Sequence, residues 1–236
     1  MPETAPTIKF EKTRAFGAEI LTYDIASDHI TGQRDNLTKE LTEKEHGIQA
    51  SPYDDPHVIA GNGVGGLEIV EELKQKNRNL SHFVCAVSGG GLMAGHALAI
   101  HRAFPNSEII GVEPTGADDF FQSMVAGKRV RVEQPKSICD GLCSYEVGQY
   151  NWPILSKHIT KTTRITDVQT CGAMHWLYEQ HGLRSEPSGA IAIAVALTEA
   201  HRFKGDGDIV LIGVTTINKS RNFSQTYSRY IAIKVD

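Results

Sequence analysis

Cysteine is scarce in this chain: Cys85, Cys139, Cys143 and Cys171 are the only four in 236 residues, and no Cys-x-x-Cys pair occurs. That excludes a disulfide framework, and the four are read as reduced thiols of a cytosolic protein. No apolar run approaches the roughly 18 residues of a membrane span. No charged-then-apolar leader opens the chain, so neither insertion nor secretion is signalled. An excess of positive charge is also missing: 24 Lys and Arg face 28 Asp and Glu, for a net charge of -4. Without a basic patch interleaved with aromatics, a nucleic-acid surface is excluded. The expectation is a soluble, cytoplasmic protein that acts on a small molecule, with neither nucleic acid nor membrane as partner. Its 40% hydrophobic and 22% charged residues are ordinary for a globular chain. The length suffices for one large core or two smaller ones.

The most informative stretch is Phe83 to His96. Five apolar residues, Phe83 to Val87, stop at Ser88, pass through Gly89, Gly90 and Gly91, and resume as the apolar, Ala-rich Leu92-Met93-Ala94. This is strand, loop and helix. Glycines let backbone N–H groups converge on one point, and the helix adds the positive end of its dipole, so the loop can hold a phosphate. The competing reading is a tight turn whose glycines are steric only.

Taken in order, the chain predicts a helix from Ile8 to Phe16 stopped by Gly17, a strand over 18–23, and a helix from about Gln33 to Glu45. Ile48 to Ala50 and Val58 to Ala60 read as short buried strands around the turn Ser51-Pro52-Tyr53-Asp54-Asp55-Pro56. Gly61-Asn62-Gly63-Val64-Gly65-Gly66 reads as a tight helix start. Ile109 to Val112 is a strand, followed by Glu113-Pro114-Thr115-Gly116-Ala117-Asp118-Asp119. Its three acids offer hard oxygens to Mg²⁺ or Ca²⁺, or else form a solvated loop in which Asp118 or Asp119 caps the next helix. A helix starts at Trp152, another runs from about Val168 to His181 with Asp167 as N-cap, a very apolar one spans Ile191 to Ala200, and Asp208 to Val214 is the last strong strand. The alternation implies an α/β fold, a mostly parallel sheet with helices on both faces. Ligands of such sheets sit at the carboxyl ends of strands, where Ser88 to Gly91, Glu113 and Thr215 fall.

Six segments in this order resemble the threonine/serine dehydratase and serine racemase family of fold type II pyridoxal-phosphate enzymes. They are Pro2-Glu3-Thr4-Ala5-Pro6 with Thr13-Arg14-Ala15-Phe16-Gly17-Ala18, Val58-Ile59-Ala60-Gly61, Ser88-Gly89-Gly90-Gly91-Leu92, Glu113 to Asp119, Ile138-Cys139-Asp140-Gly141-Leu142 and Glu186-Pro187-Ser188-Gly189-Ala190. The resemblance implies that Ser88, Gly89, Gly90, Gly91 and Leu92 bind the phosphate of pyridoxal 5'-phosphate, with Ser88 where the family usually has a first glycine. It implies that Glu113, the Ala117 carbonyl and Asp119 hold Mg²⁺ or Ca²⁺. Asp140 and Gly141 would flank the cofactor ring, and Glu186, as a buried carboxylate, would handle a proton or serve as a structural hydrogen-bond partner. Arg34 would reach the substrate carboxylate, or remain a solvated charge at a helix start. The reaction implied is elimination of the β-hydroxyl from threonine, serine or hydroxyaspartate, the aminoacrylate released becoming an oxo acid and ammonia, with racemisation as the alternative, in a homodimer or larger homo-oligomer.

Two departures stand against this. The family's Schiff-base lysine lies in a Ser-Phe-Lys-like motif upstream of the Pro-Glu-Thr-Ala-Pro segment, and no such motif occurs here. The chain is therefore expected to be incomplete at its N-terminus: residues 1–47 a small-domain remnant, 48–220 the large cofactor-binding domain, and 221–236 a divergent tail. A non-catalytic, phosphate- or metal-binding remnant is the other outcome. The second departure is Gly213-Val214-Thr215-Thr216 in place of a Ser-Gly-Gly-Asn-like turn, where Thr215 or Thr216 is the expected substitute for the family's hydroxyl partner of the cofactor ring nitrogen.

Overall fold

Phe83, Val84, Cys85 and Ala86 are all apolar because both sides of their strand are covered. They lie in β1 (Leu80–Ala86), which pairs in parallel with β2 (Glu108–Pro114) and with β4 (Asp208–Ile212), while β3 (Lys161–Ile165) pairs in parallel with β2. An antiparallel β5 (Tyr230–Ile233) completes the order β3-β2-β1-β4-β5. The structure, a computed structural model, describes residues 1–5, 7–204 and 206–213, with backbone only at 29 and 230–233. The tail expected over 221–236 therefore lies largely outside the described residues.

The chain divides into two compact units, residues 1–50 and 51–236. The first contains α1 (Thr7–Ala15), α2 (Ile25–Thr31) and α3 (Gln33–Lys44). Residues 18–23 do not form the expected strand: a single parallel bridge joins Pro2 to Tyr23. Of these residues only Tyr23 is buried, so the segment has no covered face to hold a strand in register. Helix α2 was not expected. Asp24 starts it by accepting from the Ala26 N–H at 2.9 Å, and Gly32, at φ +60°, separates it from α3.

In the second unit α4 (Pro56–Gln75) corrects two expectations. Val58 to Ala60 lie in its first turns rather than in a strand, because Asp55 accepts from the N–H groups of His57 (2.7 Å) and Val58 (3.3 Å) and Pro56 presets the helical φ. The cluster from Gly61 to Gly66 is therefore helix interior, not a helix start. Its role is close packing against α5 (Gly91–Ala103): a Cβ on Gly66 would stand 2.8 Å from the Ala99 methyl group. Ile48, expected to be buried, is 96% exposed.

Beyond β2 follow α6 (Asp119–Ala126), α7 (Trp152–His158), α8 (Asp167–His181) and α9 (Pro187–Thr198). The N-cap of α8 is Thr166, not Asp167. Thr166 and Gln169 form a reciprocal capping box, which frees the Asp167 carboxylate to accept from Ser137 Oγ at 2.6 Å. The sheet carries a core on each face. Phe83, Cys85 and Val210 pack with Ile59, Ile69, Met93 and Ala97 of α4 and α5. Val84, Ile110 and Leu211 pack with Ala190 to Val195 of α9 and with Leu177 of α8. Side chains alternate along β1 with the two-residue period of a strand, so one strand feeds both cores.

Candidate functional site

β1 delivers the glycine loop to the carboxyl end of the sheet, next to β2: the Val87 N–H donates to the Val112 carbonyl at 3.1 Å. The chain then turns through Ser88, at φ +52°, and Gly90, at φ +98°, closed by the Gly90 N–H to the Val87 carbonyl at 2.9 Å. Ser88 thus occupies the left-handed region that glycine tolerates and serine resists. The first bond into α5 is the Ala94 N–H to the Gly90 carbonyl at 2.8 Å. Helix geometry leaves the N–H groups of Gly91, Leu92 and Met93 with no carbonyl along the helix, at the positive end of its dipole. This is a ready site for an anion.

The glycines are also demanded from outside the loop. A Cβ on Gly89 would run into the Tyr53 ring, one on Gly91 would stand 2.5 Å from the Tyr53 carbonyl oxygen, and one on Gly90 would stand 2.7 Å from Leu155. The Gly89 carbonyl accepts from the Gly148 N–H at 2.9 Å and from Asn151 Nδ2 at 2.8 Å. Asn151 Nδ2 also donates to the Tyr53 carbonyl at 2.9 Å. The Asp54 carboxylate accepts from the N–H groups of Gln149 and Tyr150, each at 2.8 Å. Sequence reasoning reads Tyr53 and Asp54 as turn residues and does not single out Asn151, because nothing in their local pattern points across nearly a hundred residues to a partner.

The acidic loop follows β2. Glu113, 2% exposed, accepts from the Phe120 N–H (3.1 Å) and the Phe121 N–H (2.7 Å), so its carboxylate caps α6. Asp119 has no exposure. Its Oδ1 accepts from Ser144 Oγ at 3.1 Å, while its Oδ2 is buried without a hydrogen-bond partner among the described residues. Burial, then the nearby Asp119 charge, pushes the Glu113 carboxyl well above its ordinary range, and burial pushes Asp119 up to about 7. Two buried acids with an orphaned oxygen between a helix start and a loop are chemically suited to a hard cation. Asp118, whose charge also raises both carboxyls, is ion-paired to Arg164 at 3.0 Å.

Asp140 and Gly141 form a single 3-10 turn with Leu142, and the Gly141 N–H donates to Ser188 Oγ at 3.1 Å. Ser188 stands in the first turn of α9, whose N-cap is Glu186. Glu186 itself is exposed, which corrects the expectation of a buried carboxylate: the apolar face of α9 begins only at Gly189. At the end of β4, a Cβ on Gly213 would stand 3.3 Å from the Gly189 carbonyl oxygen, so β4 ends beside this turn. Thr215 and Thr216 lie outside the described residues. Arg34 belongs to the first unit, where its Nε pairs with Asp35 at 2.9 Å and its N–H donates to Asp28 at 2.7 Å.

Known proteins share this architecture. The sequence pattern of the family described as pyridoxal-phosphate dependent enzyme matches residues 1–214. Serine racemase of Schizosaccharomyces pombe is 31% identical over 225 residues, 94% of this chain and 67% of that protein. L-threo-3-hydroxyaspartate ammonia-lyase of Saccharomyces cerevisiae is 34% identical over 206 residues, 87% of this chain and 60% of that protein. The structure of the processed form of threonine deaminase isoform 2 from Solanum lycopersicum superposes with a TM-score of 0.79 at 31% identity, covering 93% of this chain and 59% of that one. The chain thus spans about two thirds or less of the curated relatives it matches. By the match over residues 1–214 and by its relatives, the chain belongs to the family of pyridoxal-phosphate dependent enzymes.

Proposed function

We propose that the chain carries the cofactor-binding part of an ammonia-lyase acting on a small β-hydroxy amino acid such as serine, threonine or 3-hydroxyaspartate. One observation carries this: the turn from Ser88 to Gly91, at the carboxyl end of β1, leads into a helix start with three N–H groups that have no carbonyl along the helix, in a chain of this family. Pyridoxal phosphate, when bound, supplies an electron sink that makes the Cα proton of an amino acid acidic. The chain's own part begins with the backbone N–H groups of the loop from Ser88 to Leu92, apart from that of Gly90, which is bonded to the Val87 carbonyl; these would hold the phosphate. Asp140 and Gly141 would lie beside the cofactor, their turn fixed by the Gly141 N–H donating to Ser188 Oγ. Glu186, exposed at the start of α9, is the carboxylate proposed to handle a proton. Arg34 offers a bidentate fork to a carboxylate. The β-hydroxyl leaves with the Cα proton as water, and a water molecule then hydrolyses the released aminoacrylate, through its imine, to an oxo acid and ammonia. Glu113, the Ala117 carbonyl and Asp119 hold Mg²⁺ or Ca²⁺. The site works in a cytoplasmic homo-oligomer, whose contacts would cover exposed apolar residues such as Phe16 and Ile30, both 80% exposed.

Racemisation is the second reading, favoured by the resemblance to the S. pombe serine racemase. Both reactions begin with removal of the Cα proton and part at the next step. The 236 residues contain no Ser-Phe-Lys motif, so the chain alone is expected to bind the cofactor without a covalent link. The test is to incubate the chain with pyridoxal phosphate and each L-amino acid, assaying oxo acid, ammonia and D-amino acid. Oxo acid with ammonia supports the lyase and D-amino acid the racemase. Cofactor binding with no product leaves the non-catalytic binding reading. Borohydride reduction followed by mass spectrometry should find no pyridoxyl-lysine; a single defined adduct would overturn the expectation of non-covalent binding.

A further inference from the structure

The peptide between Gly89 and Gly90 is the point at which the loop is easiest to disturb. Glycines on both sides remove the steric barrier that keeps a peptide plane from flipping, and Gly90 already stands at φ +98°. A flip would break every bond to the Gly89 oxygen, detach the Gly90 N–H from Val87, and reverse the local dipole beside the start of α5.

We propose that Asn151 is a positioning residue for the phosphate loop, locking the Gly89–Gly90 peptide so that the loop keeps its donors turned toward a bound phosphate. This rests on the cofactor reading proposed above. Asn151 has no exposure. Both neighbours of its Nδ2 are carbonyl oxygens, of Gly89 at 2.8 Å and of Tyr53 at 2.9 Å, so only the amide nitrogen fits there. One side chain thereby ties the glycine loop to the 53–54 turn that backs it. The side chain does not serve α7, at whose N-cap it stands: no side-chain cap bond forms there, and the backbone carbonyl of Asn151 accepts from the Leu155 N–H at 2.9 Å. Asn151 Oδ1 is buried without a partner among the described residues, a cost that an apolar residue of similar size would avoid. The two donors are what this residue contributes. Asp54 supports it from behind by holding the N–H groups of Gln149 and Tyr150, which fixes the turn that carries Asn151. Gly148 completes the clamp with its own N–H on the Gly89 carbonyl.

The experiment compares binding of pyridoxal phosphate and of pyridoxal, which lacks the phosphate, by fluorescence titration of the chain and its variants. The chain should prefer the phosphate-bearing form. In Asn151→Ala that preference should fall about tenfold while pyridoxal binding stays unchanged, the size expected for loss of a buried hydrogen bond that orders the loop. Equal weakening of both ligands would mean that Asn151 supports the fold alone, and would overturn the proposal, as would an unaltered preference. Asp54→Asn keeps the shape of the side chain and loses one acceptor; it should lower the preference in the same direction. A folded Asp54→Asn with an unmoved preference overturns the clamp even where Asn151→Ala fails to fold. A native chain with no preference for the phosphate form would instead remove the cofactor reading on which the proposal stands.

Discussion

Gly95 of α5 lies so close to α4 that a Cβ placed on it would stand 2.5 Å from the backbone nitrogen of Gly63 and would also meet the Ile59 carbonyl oxygen. The two helices therefore cross backbone to backbone, and this contact sets the position of α5, whose first turn forms one wall of the phosphate loop. Gly95→Ala should cost about 1–3 kcal/mol, the usual penalty of overpacking where backbone cannot yield. Gly61, on helix α4, has nothing within 4 Å of the point where a Cβ would stand, so Gly61→Ala should gain about 0.5–1 kcal/mol from helix propensity alone. Urea denaturation of both variants decides the matter: two stabilised proteins would rule out the tight crossing.

Ser88 is held at φ +52°, where its Cβ crowds the following carbonyl. Ser88→Gly should relieve about 1 kcal/mol of that strain, and Ser88→Val, branched at Cβ, should lose more than serine does. The denaturation midpoints should run Gly, Ser, Val from most to least stable. A glycine variant less stable than serine would mean that the hydroxyl contributes a bond outweighing the strain.

Much of this site was readable in the sequence because its signals are local. Five apolar residues ending in Ser88-Gly89-Gly90-Gly91 can hardly be anything but a buried strand entering a tight turn, and the structure places that turn where β1 meets α5. Val58 to Ala60 read as a strand because a short apolar run does not distinguish strand from helix. The deciding signal was the cap Asp55-Pro56 just before it. The glycines from 61 to 66 argue against a helix by propensity, and tertiary packing against α5 overrides that preference. Residues 18–23 have a strand-like composition but, among the described residues, no neighbouring strand to pair with beyond one bridge. The contacts from Asp54 to Gln149 and from Asn151 to Gly89 join segments whose spacing carries no periodic signal, so they became visible only in three dimensions.

The cation assignment predicts a graded outcome. Mg²⁺ or Ca²⁺ should raise the melting temperature, with about 2.7 kcal/mol of stabilisation when the ion stands at a hundred times its dissociation constant. Asp119→Ala should abolish the rise, since it removes the buried Oδ2 that has no other partner among the described residues. Asp118→Asn should keep it, because the Asp118 carboxylate is engaged by Arg164 and Gln122. An Asp119→Ala protein that retains the full shift would remove the site.

His96 gives a prediction in pH. It is 3% exposed on the core side of α5, stacked on Phe83 with ring centroids 5.9 Å apart, and its Nδ1–H donates to the Leu92 carbonyl at 2.9 Å. Burial holds its pKa below the ordinary imidazole value, against the smaller opposing effects of the Leu92 carbonyl and the Glu68 carboxylate. In the unfolded chain the ring titrates near its ordinary value, about 6.5. Below that pH the unfolded chain binds a proton that the folded chain refuses, so stability falls as pH drops from the unfolded value toward the lowered folded one. The slope approaches about 1.4 kcal/mol per pH unit while only the unfolded ring is charged. His82 and His158, whose pKa values burial also lowers, add to the same trend, so the native curve alone does not isolate His96. His96→Leu does isolate it. The stability difference between native and variant should narrow, or tip toward the variant, as pH falls from 7 to about 5, because leucine has no proton to gain. A difference that stays constant over that range would mean that the buried ring charges as readily folded as unfolded, and the neutral, Phe83-stacked imidazole would have to be given up.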